Sequence, residues 1–259
     1  MSHSLVHIHP NAQIAENVII EPFSVIGADV IIGKNTWIGS NVTIMDGARI
    51  GENCKIFPSS VIAAPPQDLK FEGEKTYVYI GDNTTIRECV TVNRGTKQLE
   101  KTTIGNNCLL MAYVHIAHDC IVGNNCILAN SVQVGGHVHL DDYCVIGGIT
   151  AIHQFSRVGK FAMVGSSSFV TKDVPPFAKA ARNPLAYVGI NSVGLRRNKF
   201  DRNQINLIQD IYRILYSEGL NNREAVLQIE NKIEKSKERD EVLDFIKSSD
   251  RGIMKGYNT

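Results

Sequence analysis

An aliphatic residue returns every six positions, in one unbroken phase, from Ile8 to Val170. The series runs Ile8, Ile14, Ile20, Ile26, Ile32 and so on to Ile62, passes Ile80, Ile86 and Val92, and continues from Ile104 to Val170. Of the 28 positions in this phase 25 are aliphatic, the exceptions being Asp68, Glu74 and Gln98. Six is the period of neither a helix nor a flat strand. It fits a short strand plus a corner, repeated. One such strand cannot bury its inward face alone, whereas stacked coils build a continuous core. If three hexapeptides close a coil, residues 18 apart stack about 4.8 Å from each other, and the regular stretch makes roughly eight or nine coils.

Glycine often follows the aliphatic, as at Gly33, Gly51 and Gly105, where it suits a turn needing positive φ. The slot four places after the aliphatic favours small residues and holds Cys54, Cys108, Cys120, Cys126 and Cys144, five of the six cysteines. Packing explains them, and no C-x-x-C motif occurs.

Two segments break the pattern. Residues 63–79 carry two prolines and several charges, residues 94–103 are polar, and both read as loops leaving the prism. The repeat fails after Val170, and the string DVPPF at 173–177 marks a boundary. From about 191 the texture is helical. Asp201 caps a helix with Ile205, Ile208, Ile211, Tyr212 and Leu215 on one face, ended by Gly219; further helices are expected over 222–235 and 240–249. The expected fold is mainly β: a parallel β-helix over 1–190 with a C-terminal α-helical appendage over 191–259.

The apolar fraction of 43% permits a core, and a net charge of +1 demands neither nucleic acid nor an anionic membrane as partner. The first residues lack a basic stretch followed by an apolar one, and no apolar run reaches membrane-spanning length, so a cytoplasmic protein without stable membrane insertion is expected.

Chemistry concentrates in YVHIAHD at 113–119. Stacking by 18 puts His118, Gly136 and Gln154 in one row, Asp119 and His137 in the next, and His153 beside Gly135. A patch of His118, His137, His153 and Gln154 around a glycine gap leaves room for a substrate. Imidazole is the usual general base near neutral pH. Asp119 would orient it only across a corner or from a neighbouring subunit, because consecutive strand residues face opposite ways. His115 and His118, three apart, point to opposite faces unless a corner intervenes, so no metal site is expected. His3, His7 and His9 have metal-like spacing, but His9-Pro10 more simply opens the first coil.

The hexapeptide phase resembles the left-handed β-helix acyltransferases. The strings HIAHDC (115–120), GGH (135–137), GGITAIHQF (147–155), PPQDLKF (65–71) and NSVGLRRNKF (191–200) are similar to the UDP-N-acetylglucosamine O-acyltransferase family of lipid A biosynthesis. The resemblance implies a left-handed helix, a homotrimer with sites between subunits, and transfer of a 3-hydroxyacyl chain from acyl carrier protein to the sugar 3-hydroxyl, without a cofactor. By the same resemblance His118 matches the general base, Asp119 its orienting group, and Gly136 the backbone donor to the thioester carbonyl. Asp68, Lys70, His115, His137, His153 and Gln154 match substrate-contacting positions. Asn191 and Arg197 match nucleotide-side residues, and Ser166 the position that sets acyl length. Val193 and Asn198 depart from the glutamate and second arginine of relatives. Arg196, Arg197 and Lys199 are candidates to steer the acidic carrier protein. The alternatives are another hexapeptide acyltransferase, acetyl-CoA-dependent or N-acylating, and a non-catalytic β-solenoid. A repeat starting at residue 8 leaves no room for the extra N-terminal domain usual in the N-acyltransferases.

Overall fold

The computed structural model describes residues 5–217 and 219–256. The six-residue phase becomes a three-sided prism. Most strands are two residues long, an outward residue followed by the inward aliphatic, as in Ile31–Ile32, His115–Ile116 and Ile127–Leu128. Ile26, Ile62, Ile86, Ile116 and Val164 are fully buried in the column these aliphatics form. The first face is a nine-stranded parallel sheet from His7–Ile8 to Phe169–Val170, and the second an eight-stranded one from Gln13–Ile14 to Arg157–Val158. The third starts at Ile19–Ile20 and reaches eleven strands, because Ala178–Ala181, Ala186–Ile190 and Lys255–Gly256 extend its end. His115 pairs with Gln133 and Gln133 with Ala151, the step of 18 that the repeat demands.

The excursions respect the phase. Lys55 pairs with Thr85, 30 residues on, and Thr85 with Leu109, 24 residues on. The inserted lengths are whole hexapeptides, so every aliphatic still points inward. Both excursions are shorter than expected. Tyr77–Ile80 and Lys101–Ile104 are strands paired in register, which leaves 65–76 and 94–100 outside the ladder. Period-two burial explains this: Val78, Ile80, Thr102 and Ile104 face inward at 3% exposure or less.

The glycines need a corrected explanation. Positive φ falls two residues later, at the third place after the aliphatic: Asn17, Asn35, Asn53, Asn83, Asn107 and Asn125 all lie at φ 54–58°. Asparagine tolerates that region, and here its side chains also link coils, with Asn35 Nδ2 donating to Asn53 Oδ1 at 3.2 Å. Gly33 has no positive φ; a Cβ there would come within 2.5 Å of the Gly51 backbone one coil away. Glycine at this place answers close approach between coils, not backbone conformation.

The small slot has a polar reason as well as a steric one. Cys54, Cys108, Cys120, Cys126 and Cys144 are buried and free, and each thiol donates to a corner carbonyl of the next coil, at 3.1–3.2 Å. Ser24 and Thr36 occupy the same slot and donate to Gly39 O and Gly51 O. A small donor is what a buried carbonyl there requires.

Four helices follow the prism: α1 (Ser192–Arg197), α2 (Arg202–Ser217), α3 (Asn222–Lys232) and α4 (Lys237–Lys247). Asp201 caps α2 in a reciprocal pair with Gln204, and Gly219 beyond its end has φ +67°. The later helices are placed by their own caps, Asn221 with Glu224 for α3 and Ser236 for α4. Helix α3 thus stops at Lys232, short of the expected 235, because Ile233 beyond it is extended. Helix α2 docks on the prism end through Tyr212, which is buried, stacks on Tyr187 and donates to Pro176 O. Among the described residues no helix is long and apolar enough to cross a membrane.

Candidate active site

The chemistry sits on the edge where the first face turns into the second. The corner after His115–Ile116 holds His118 and Asp119, and the next coil places Gly136 and His137 there. The coil after that adds His153, Gln154 and Phe155. Asp119 adopts φ +57°, so the backbone reverses between two consecutive residues and both side chains meet on one side. His118 Nδ1 lies 2.9 Å from Asp119 Oδ2. The alternation that would separate them in a strand does not apply at this corner, and no second subunit is needed for the pair.

Asp119 is 1% exposed and accepts from Thr96 N at 3.0 Å, Thr96 Oγ1 at 2.6 Å and Leu99 N at 3.3 Å. A carboxylate among donors accepts, so His118 Nδ1 carries the hydrogen and Nε2 is left with its lone pair. That Nε2 faces the glycine gap: a Cβ on Gly136 would stand 2.7 Å from His118 Nε2 and Cε1. Among the described residues no intramolecular backbone bond uses the Gly136 N–H.

The His137 ring stacks on Phe155 with centroids 4.5 Å apart and meets His118 edge-on at 5.0 Å. Burial holds His137 below the usual imidazole range, offset in part by the Asp119 charge. His118, Asp119 and His137 bring ligand atoms within 4.8 Å of one another. The Asp119 oxygens already take the Thr96, Leu99 and His118 donors, which a metal would have to displace. Of the N-terminal histidines, His9 Nδ1 accepts from Asn11 N, and His3 lies outside the described residues.

The two excursions wall a cleft of about 590 Å³ against this edge. Asp68, Lys70 and Glu74 line it from 65–76, Thr96 and Lys97 from 94–100, and His118, His137, Gln154 and Phe155 from the prism. Asp68 Oδ1 accepts from Lys70 N at 2.9 Å, which fixes the turn that presents both. Glu74 Oε1 accepts from Lys97 N at 3.0 Å and ties the excursions together.

Five expected site residues do not line the cleft of their own chain. His115 is on the first face, its Nδ1 2.7 Å from Thr91 Oγ1, and burial followed by the nearby His118 pushes it below the usual range. His153 donates from Nδ1 to Gln154 O and leans on Phe169. Asn191 is buried, accepts from Gly194 N to cap α1 and donates to Phe161 O. Arg197 is exposed in the last turn of α1, and Asn198 closes that helix by donating to Gly194 O. Ser166 is exposed on another edge, where the third face turns into the first. Thr96, Glu74 and Phe155 were missed. Thr96 carries no sequence signal, because nothing local marks which polar residue turns inward, whereas Phe155 is the next step of eighteen after Asp119 and His137, a row that could have found it. Glu74 breaks the aliphatic phase, a signal that could have found it.

Residues 173–254 match the family described as "Udp N-acetylglucosamine O-acyltransferase; Domain 2", and residues 29–64 and 101–136 match bacterial transferase hexapeptide repeats. The acyl-[acyl-carrier-protein]–UDP-N-acetylglucosamine O-acyltransferase of a Janthinobacterium strain is 44% identical over 97% of this chain and 100% of its own length. That of a Sulfurihydrogenibium strain is 52% identical over 96% and 94%. This chain belongs to the UDP-N-acetylglucosamine O-acyltransferase family. The crystal structure of a UDP-N-acetylglucosamine acyltransferase from Bacteroides fragilis superposes with a TM-score of 0.97 at 46% identity, covering 98% of this chain and 100% of that one. The enzyme from Francisella novicida gives 0.96 at 42% identity, with 100% and 95% covered. The prism is thus the left-handed parallel β-helix of the UDP-N-acetylglucosamine O-acyltransferase family.

Proposed function

We propose that this chain transfers a 3-hydroxyacyl group from acyl carrier protein to the 3-hydroxyl of UDP-N-acetylglucosamine, with His118 as general base. The carrying observation is the His118–Asp119 pair set against the Gly136 gap, with His118 lining the cleft. Acyl transfer from the carrier protein to this sugar nucleotide is the activity for which its curated relatives are named.

His118 Nε2 takes the proton of the 3-hydroxyl as the oxygen attacks the thioester carbon. The Gly136 N–H, which has no backbone partner among the described residues, donates to the oxyanion. The C–S bond then breaks, and the imidazolium returns the proton to the departing thiolate. A thioester is already activated, so orientation and one proton transfer suffice and no cofactor is required. Lys70 and Asp68 contact the sugar side of the cleft, together with His137 and Gln154.

A homotrimer accounts for the dispersed residues. His115, His153, Asn191, Arg197 and Ser166 do not line the cleft of their own chain, and Ser166 stands on a different edge from His118. A second copy packed against the His118 edge brings its own Ser166 edge into the site. Exposed Phe23, Tyr113 and Ile149 on that edge supply apolar surface for the contact, at 61%, 62% and 71% exposure. The helical appendage that begins with α1 offers Arg196, Arg197 and Lys199 to the nucleotide and the acidic carrier protein. We place the protein in the cytoplasm.

The test is transfer of a radiolabelled 3-hydroxyacyl group from acyl carrier protein to UDP-N-acetylglucosamine, with wild type beside His118→Ala. Product from wild type and its loss in the folded variant support reaction and base together. Product in neither, with an acetyl group taken from acetyl-CoA instead, would overturn the donor and acceptor.

A further inference from the structure

We infer that Thr96 is a positioning residue for the catalytic pair, holding the Asp119 carboxylate from the second excursion. The inference rests on His118 acting as the base. Thr96 is 8% exposed and grips Asp119 twice: its N–H donates to Oδ1 at 3.0 Å and its hydroxyl to Oδ2 at 2.6 Å. Oδ2 is the same oxygen that faces His118 Nδ1 at 2.9 Å. Leu99 N adds a third donor to Oδ1. The hydroxyl also accepts from Gln98 N at 3.3 Å, which orients its own hydrogen toward the carboxylate.

This arrangement makes the excursion part of the proton-transfer machinery. Asp119 sits at a left-handed corner, with His137 Nε2 of the next coil 3.7 Å from Oδ2; among the described residues its hydrogen bonds other than that of His118 come from Thr96 and Leu99. Its direction is set from residues 96–99. Glu74 in turn fastens Lys97 N from the other excursion at 3.0 Å, so the first excursion braces the segment that holds the carboxylate. A donor shared onto Oδ2 also moderates how strongly that oxygen draws on the His118 proton. Without it, Oδ2 is left to the His118 Nδ1–H alone, and a charged imidazolium facing it meets a stronger acceptor.

Thr96→Val keeps the shape and the backbone N–H and removes only the hydroxyl; Thr96→Ser restores it. Steady-state acyl transfer by wild type, both variants and His118→Ala, measured across pH and beside their melting temperatures, decides the matter. The expected result for Thr96→Val is a roughly tenfold lower kcat, an unchanged KM for UDP-N-acetylglucosamine, and an acid limb of the rate profile moved to higher pH. Thr96→Ser should return both to wild type. Wild-type kcat and profile in Thr96→Val, with His118→Ala inactive, overturn the role of Thr96 and leave the base intact. Full activity in His118→Ala overturns the reading of the base itself. If Thr96→Val fails to fold, the serine variant still decides: a lowered kcat and a shifted profile with the hydroxyl present would also overturn the inference.

Discussion

His118 Nδ1 and Asp119 Oδ2 stand 2.9 Å apart although the residues are adjacent in sequence, because Asp119 turns the backbone at φ +57°. The pair therefore has a fixed tautomer, with the free Nε2 aimed at the gap. Asp119→Asn should break this. An amide group toward His118 favours the other tautomer and blocks the base, so kcat should fall by about 10²–10⁴-fold with the fold intact. Acyl-transfer kinetics with circular dichroism check it; a loss below tenfold would show that the carboxylate is dispensable.

Gly136→Ala tests the gap. The added methyl would come within 2.7 Å of the His118 ring, so the ring must swing off Asp119. Activity should drop at least tenfold, while melting temperature changes little, because the exposed side of the cleft can take up the displacement. Wild-type turnover would place the sugar elsewhere.

Stability should depend on the half-buried histidines. His115 and His137 are both held below the usual imidazole value, chiefly by burial. In the unfolded chain they bind protons first as pH falls, so the folded form loses stability as pH drops below about 6.5. Above that value the contribution is complete. Denaturant unfolding at pH 7.5 and 5.5 should show the loss, and His115→Gln should flatten it. Equal pH dependence in that variant would remove His115 from the account.

The slot cysteines should be silent. Burial pushes the Cys120 thiol up to about 12, and Cys54, Cys108 and Cys126 are also raised. Thiol titration of the native protein should therefore count no more than the half-exposed Cys89, and all six cysteines after unfolding. Rapid reaction of two or more in the folded state would mean that the coils open.

Ser166 bears on acyl length. It is small and exposed on the edge assigned to the neighbouring copy. Ser166→Met should shift preference toward shorter 3-hydroxyacyl donors in competition assays, by roughly tenfold or more if two or three methylenes lose their pocket. An unchanged ranking would move the chain's end elsewhere.

The sequence by itself determined the prism. A six-residue phase with 25 aliphatics forces an inward column, because any other register exposes them all. Stacking by eighteen then placed Gly136 beside His118 and His137 beside Asp119, and the caps Asp201 and Gly219 bounded α2. These are consequences of local periodicity and nearest-neighbour coils. The tertiary structure decided what periodicity does not carry. It put positive φ on the asparagines and not on the glycines, since the clash that selects glycine lies one coil away. It shortened the excursions by pairing Tyr77 with Lys101, and it turned Thr96 and Glu74 toward Asp119 and Lys97. It also kept Ser166, Asn191 and Arg197 off the cleft of their own chain. Such contacts join residues twenty or more apart through aperiodic loops, where no repeating pattern records direction and only the folded chain supplies it.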